Sequence, residues 1–178
     1  MLLAISTVPF SHGLTSNVFK CTTSFEDVKI GSLLGLVQGI MILLGLLLGG
    51  WIIGFAGTMG FSIGVATLII SGIRMIMELR KGDPDDNAFK LDDTIMITVM
   101  ALAASINGFI VSIGLPAFDI HVLAFAGASA AAAGLFGFFG VKLGKKYGKY
   151  MWGKYAKLGG AIIILVIAVF HLVLYLID

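Results

Sequence analysis

Cysteine occurs once in the 178 residues, at Cys21, so neither a disulfide framework nor a cysteine-based metal finger can be built. Charge is also scarce: Asp, Glu, Lys and Arg together make up 12% of the chain. A soluble domain cannot cover its surface with so few charges, nor hide the 58% of residues that are hydrophobic. The chain therefore reads as a polytopic membrane protein, with room for about six spans of roughly 20 residues and little else. The N-terminal stretch lacks a basic leader and a small-residue cleavage site, so it reads as a retained span. No phosphate loop, catalytic triad or pair of acids falls inside the apolar runs. An enzyme is not expected, and neither is a resident cofactor.

What is present is six apolar segments. They run over about Leu2–Phe19, Ile30–Phe55, Thr58–Met77, Thr94–Leu115, His121–Val141 and Leu158–Ile177. Backbone groups in lipid must be satisfied within the segment, so all six are expected to be helices. Gly82, Asp83 and Pro84 mark a turn in the charged loop "ELRKGDPDDNAFKLDD", and Pro116 ends the fourth helix. The twelve basic residues follow one pattern. Lys20 and Lys29 fall between the first two helices; Arg74, Arg80, Lys81 and Lys90 fall around the third loop; six lysines from Lys142 to Lys157 fall between the last two helices. Those loops share one side of a six-span protein, and the other side has no Lys or Arg. The positive-inside rule puts them in the cytoplasm, both termini outside, and the protein in the inner (plasma) membrane.

Two segments carry polar residues where lipid favours leucine. "VPFSHGLTSNVFK" holds His12, Gly13 and Asn17, and "ALAASINGFIVSIGLPAF" holds Ser105, Asn107, Gly108 and Ser112. An offset of 95 superimposes His12 on Asn107, Gly13 on Gly108 and Asn17 on Ser112. Three helices per half invert the second half relative to the first. This is the pattern of an inverted repeat, about residues 1–80 and 92–178, whose matching helices meet near the bilayer midplane. Two readings stay open. Small polar residues commonly bond across helix interfaces, and glycine commonly just permits close approach. An ionisable group inside the membrane, such as His12, instead points to a substrate cavity.

Other features are weaker. Gln38 is a lone amide in the second helix, open to packing or to the cavity. His171 reads as interfacial or bonded to a carbonyl. Asp119 and His121 read as a solvated helix cap, or as an entry point for a cation. The lysine run with Tyr147, Tyr150, Trp152 and Tyr155 reads as an interfacial belt on anionic lipid, not as a nucleic-acid surface. Gly127, Ala131 and Gly134 form a small-residue stretch suited to packing.

The segments "QGIMILLG", "SGIRMIMEL", "SINGFIVSIGL" and "AKLGGAIIILVIAVFHL", in this order and spacing, resemble the MntP family of manganese exporters, within the LysE-type transporter group. The resemblance covers nearly the whole chain. It implies six helices in two inverted repeats and efflux of a divalent cation. It also implies that an aspartate followed by a small residue handles the metal in the first and fourth helices. Here those positions are His12 before Gly13 and Asn107 before Gly108; Gln38 is kept, and Ile42 replaces a proline that often follows.

Mn²⁺ is a hard cation that prefers carboxylate, carbonyl and water oxygens. His12, Asn17, Gln38, Ser105, Asn107 and Ser112 supply neutral donors only, so the expected metal site is a modified one, suited to a divalent cation or a small solute. The sequence therefore supports an all-α membrane transporter of the manganese-exporter type. The alternative is a non-transporting relative that serves as subunit or anchor of a larger complex. The expected partners are the lipid bilayer, Mn²⁺ or another small solute, and a second copy or a larger assembly.

Overall fold

The computed structural model describes residues 1–16, 24–80, 94–118, 120–147 and 150–177. Within them every regular element is helical. The helices are α1 (Leu2–Ser16), α2 (Ser24–Ala56), α3 (Gly60–Arg80), α4 (Thr94–Gly114), α5 (Val122–Tyr147) and α6 (Tyr150–Ile177). Short 3-10 turns occupy Gly57–Met59 and Leu115–Phe118, the second holding Pro116 where the sequence stops α4. Asn17, Cys21, Asp119 and the loop 81–93 lie outside the described residues.

Five helices, α2 to α6, are long and apolar enough to cross a membrane, and the apolar part of α1, Leu2–Leu14, is shorter. The protein is thus a multi-pass membrane protein. Its surface agrees. Leu36, Leu47, Trp51, Ile70, Val166 and Phe170 are exposed, while Ser6, Gln38, Ser71, Ser105, Asn107 and Ser112 are buried. Water would penalise so apolar an exterior, whereas lipid accepts it and leaves the polar groups to pair inside.

Three helix ends differ from the hydropathy reading. α2 begins at Ser24 with Glu26 and Asp27 in its first turn, α5 continues to Tyr147, and α6 starts at Tyr150. The basic "loop" between α5 and α6 is therefore mostly helix. Hydropathy marks where apolar side chains end, but lysine is a good helix former and its stem can lie along apolar surface. Acids in a first turn favour the helix end they occupy.

Packing fixes how the helices run. Lys29 Nζ on α2 donates to Thr94 Oγ1 on α4 at 2.7 Å, and further along, Gly45 lies against Ser112 and Gly49 against Ile113. α2 and α4 are therefore parallel. α1 and α5 are parallel in the same way, with Phe10 and Leu14 against Gly140, and Leu14 also against Gly144. Thr7 of α1 meets Gly160 of α6 while Ser11 meets Gly153, an antiparallel pair. α2 runs antiparallel to α5, with Gly31 against Gly134 and Gly39 against Ala130. α3 is antiparallel both to α4, with Gly64 against Gly114, and to α6, with Phe61 on Tyr175 and Glu78 on Lys157. Successive helices thus alternate in direction.

One end of the bundle carries Lys29, Lys146, Lys154 and Lys157, at the start of α2, the end of α5 and the start of α6. The opposite end is aromatic. Phe61 stacks on Tyr175 with ring centroids 4.7 Å apart, and Phe118 meets His171 edge-on at 4.7 Å. His171 Nδ1 donates to the Ile167 carbonyl at 2.9 Å, the carbonyl-bonded state expected for it.

Candidate functional site

The polar residues of α4 face inward because the helix alternates them with Ala101, Ala104, Gly108 and Val111, all of them buried. Asn107 lies beside Ser71, whose hydroxyl reaches the Asn107 main-chain carbonyl at 3.4 Å near the middle of α3. Its side-chain amide donates from Nδ2 to Oε2 of Glu78 at 3.2 Å. A carboxylate only accepts, so the amide nitrogen must be the atom that faces it, and Oδ1 points elsewhere. That oxygen is buried with no hydrogen-bond partner.

Glu78 was not among the residues expected from sequence. Hydropathy assigns it to the loop after the third helix, yet it is the last but two residue of α3, and its side chain reaches along the bundle to α4. The signal was present. Thr67, Ser71, Arg74 and Glu78 follow one another at spacings of 4, 3 and 4, which puts a polar stripe on one face of an apolar helix. The donor set is consequently not neutral, and a carboxylate stands beside one of the two positions where the family resemblance implies an aspartate. Two cations hold it: Lys157 Nζ contacts Oε2 at 2.6 Å, and Arg74 Nε contacts Oε1 at 3.2 Å. The Lys157 side chain is only 12% exposed, so this lysine belongs to the interior and not to a solvated belt.

Gln38 is fully buried on α2, and both its Nε2 and Oε1 lack a hydrogen-bond partner. Its amide packs directly on Gly108, where any side chain would collide with Nε2. Glycine beside Asn107 therefore makes room for Gln38. Among the described residues, the buried polar side-chain atoms without a partner are these two, Asn107 Oδ1 and Ser129 Oγ. An unpaired buried amide costs about 1–3 kcal/mol per group, so the two oxygens suit a cation or a water proton and Gln38 Nε2, a donor, suits a water oxygen.

His12 sits on α1 with Nδ1 3.0 Å from the Val8 carbonyl. A carbonyl cannot donate, so Nδ1 carries a proton, and in the neutral ring the lone pair lies on Nε2. Lys157 and Glu78 both act on this ring electrostatically. Ser105 donates to Ala101 O and Ser112 to Phe109 O, each at 2.7 Å within α4, and each oxygen keeps acceptor capacity. Among the described residues, no group of three His, Cys, Asp or Glu side chains converges as a metal cluster. The oxygens of Glu78, Asn107 and Gln38 are still of the kind a hard divalent cation takes, with water filling the remaining positions.

The helix glycines bear on the halves of the chain. Gly45 and Gly49 of α2 abut main-chain carbonyls of α4, those of Phe109 and Ile113, and Gly140 and Gly144 of α5 abut those of α1, Phe10 and Leu14. The two glycine pairs are 95 residues apart, the same offset that superimposes His12 on Asn107.

Comparison with known proteins matches this chain to one family. The family model described as "Putative manganese efflux pump" (Mntp) matches residues 22–172. The "Putative manganese efflux pump MntP" of Methanobrevibacter smithii is 30% identical over 169 residues, covering 92% of this chain and 89% of the relative. The protein of the same name from Pseudomonas syringae is 28% identical over 170 residues, covering 94% and 89%. That from Citrobacter koseri is 27% identical over 141 residues, covering 78% and 75%. No solved structure matches the chain. With 151 of its 178 residues inside the family match, this chain belongs to the MntP manganese efflux pump family.

Proposed function

We propose that the protein exports Mn²⁺, or a divalent cation of the same hardness, through a path between α1, α3 and α4. The observation that carries this reading is the set of unpartnered, buried amide atoms on Gln38 and Asn107 beside the Glu78 carboxylate. Asn107 Oδ1 and Gln38 Oε1 are acceptors without partners and fit a place where a cation supplies the missing interaction, while the donor Gln38 Nε2 suits water carried with it. Glu78 provides the formal charge that a dication shedding water needs. His12, through Nε2, and the Asn107 and Gln38 oxygens complete a partly hydrated shell; Ser105 and Ser112, seven residues apart on α4, line the path along that helix, and Asn17 completes the His12 motif in the sequence.

The path opens alternately to either side by rocking of two inverted halves, about residues 1–80 and 92–178. Exchanging the halves turns the packing of α1 on α5 into that of α4 on α2, and of α1 on α6 into that of α4 on α3. The glycine pairs at offset 95 support the same relation. Six crossings put the basic end in the cytoplasm and both termini outside, in the inner membrane. The non-transporting subunit reading has less support, since the relatives bear the names of pumps.

The test is manganese tolerance in a cell lacking its own exporter. Native protein should raise the tolerated Mn²⁺ concentration severalfold, and Asn107→Ala or His12→Ala should reduce that gain. Native protein at normal membrane abundance that confers no tolerance would sink the reading.

A further inference from the structure

Lys157 occupies the place of a cation. Its ammonium meets Glu78 Oε2 at 2.6 Å, and the same oxygen accepts from Asn107 Nδ2. The ammonium therefore sits on the oxygen that joins the carboxylate to the α4 motif. A dication could not share that oxygen with it. Arg74, Lys157 and Glu78 together carry a net charge of +1, and a divalent ion added without loss of one basic partner would face repulsion in a site only partly open to water. Arg74 is the less suitable partner to leave. It lies four residues before Glu78 on the same helix, bonds the other oxygen, and its side chain is 34% exposed. Lys157 comes from α6, in the other half of the chain, on a flexible four-carbon stem near the basic end of the bundle. A lysine so placed can withdraw toward that end while its stem stays on apolar surface.

We propose that Lys157 is a tethered competitor for the transported cation: its ammonium neutralises Glu78 when cargo is absent, and cargo binds by displacing it. Building on the exporter reading, this adds a specificity-determining residue. A monovalent ion gains too little from one carboxylate to expel the lysine, whereas a dication gains more, so the lysine raises the threshold for weakly charged ions. It also ties α3 to α6 in the empty protein, and displacement releases that link between the halves at the moment of loading.

The experiment measures Mn²⁺ binding to the purified protein by calorimetry, for native, Lys157→Met and the double variant Lys157→Met with Glu78→Gln. Lys157→Met should bind Mn²⁺ at least tenfold more tightly than native, and the double variant should lose that gain. A second measurement needs no substitution: saturating Mn²⁺ should raise the rate at which an amine-acylating reagent modifies Lys157, with exposed Lys154 as the unchanged reference. Equal affinities of native and Lys157→Met, or Lys157 acylation indifferent to Mn²⁺ in a protein that binds it, overturn the competitor while leaving the exporter reading intact. Absence of Mn²⁺ binding to both native and Lys157→Met overturns the two together.

Discussion

Asn107 of α4 gives its amide nitrogen to Glu78 of α3 at 3.2 Å and leaves its oxygen buried without a partner. One hydrogen bond thereby orients the amide, places an acceptor in the interior and brings a charge to a position where the family resemblance implies an aspartate.

Restoring the acid should then have a two-sided effect. Asn107→Asp replaces the amide donor to Glu78 Oε2 with an acceptor, so that bond is lost and two carboxylates share Lys157 and Arg74 until a divalent cation joins them. Thermal unfolding in detergent should show a lower Tm than native without metal. Millimolar Mn²⁺ should raise that Tm by several degrees more than it raises the native one. A variant whose Tm ignores Mn²⁺ would separate Asn107 from the cation path.

Glu78→Gln should lower stability as well as function. It leaves Lys157, which is 12% exposed, without its counter-charge. Breaking a fully buried pair costs about 3–5 kcal/mol, and partial exposure of Glu78 reduces that to about 2 kcal/mol. The double variant Glu78→Gln with Lys157→Met should recover most of the loss, read from melting curves of the three proteins.

Two glycines of α5 should respond differently to the same methyl group. A Cβ at Gly140 collides with the Phe10 carbonyl of α1, whereas nothing lies within 4 Å of one at Gly127. Gly140→Ala should cost about 2 kcal/mol or more, because backbone atoms cannot yield. Gly127→Ala should be neutral within about 0.5 kcal/mol. Fluorescence-detected size-exclusion after graded heating would distinguish them.

Orientation follows from charge. With Cys21→Ser as background, a cysteine replacing exposed His121 should react with an impermeant maleimide on intact cells. One replacing exposed Lys146 should react only after permeabilisation. The reverse pattern contradicts a cytoplasmic basic end.

The sequence made the helices legible because a long apolar run in lipid has no other backbone solution, and Pro116 marked its own helix end. It misjudged where α5 and α6 meet, since lysines and tyrosines end an apolar run without ending a helix. Asn107 and Gln38 stood out as amides among aliphatics. Glu78 did not, because it lies where hydropathy falls, and only its register with Thr67, Ser71 and Arg74 connects it to the interior. Lys157 was hidden for a similar reason: one lysine among six looks solvated until a carboxylate from another helix is placed beside it. Long-range pairing of that kind leaves no local trace.

The most direct measurement is Mn²⁺ flux into proteoliposomes, with a metal-quenched dye inside and Mn²⁺ outside. Native protein should quench the dye faster than empty liposomes. Glu78→Gln reconstituted to equal density should fall to within about a tenth of the native rate above background. Flux through Glu78→Gln equal to native flux, or native flux no greater than that of empty liposomes, would contradict the account.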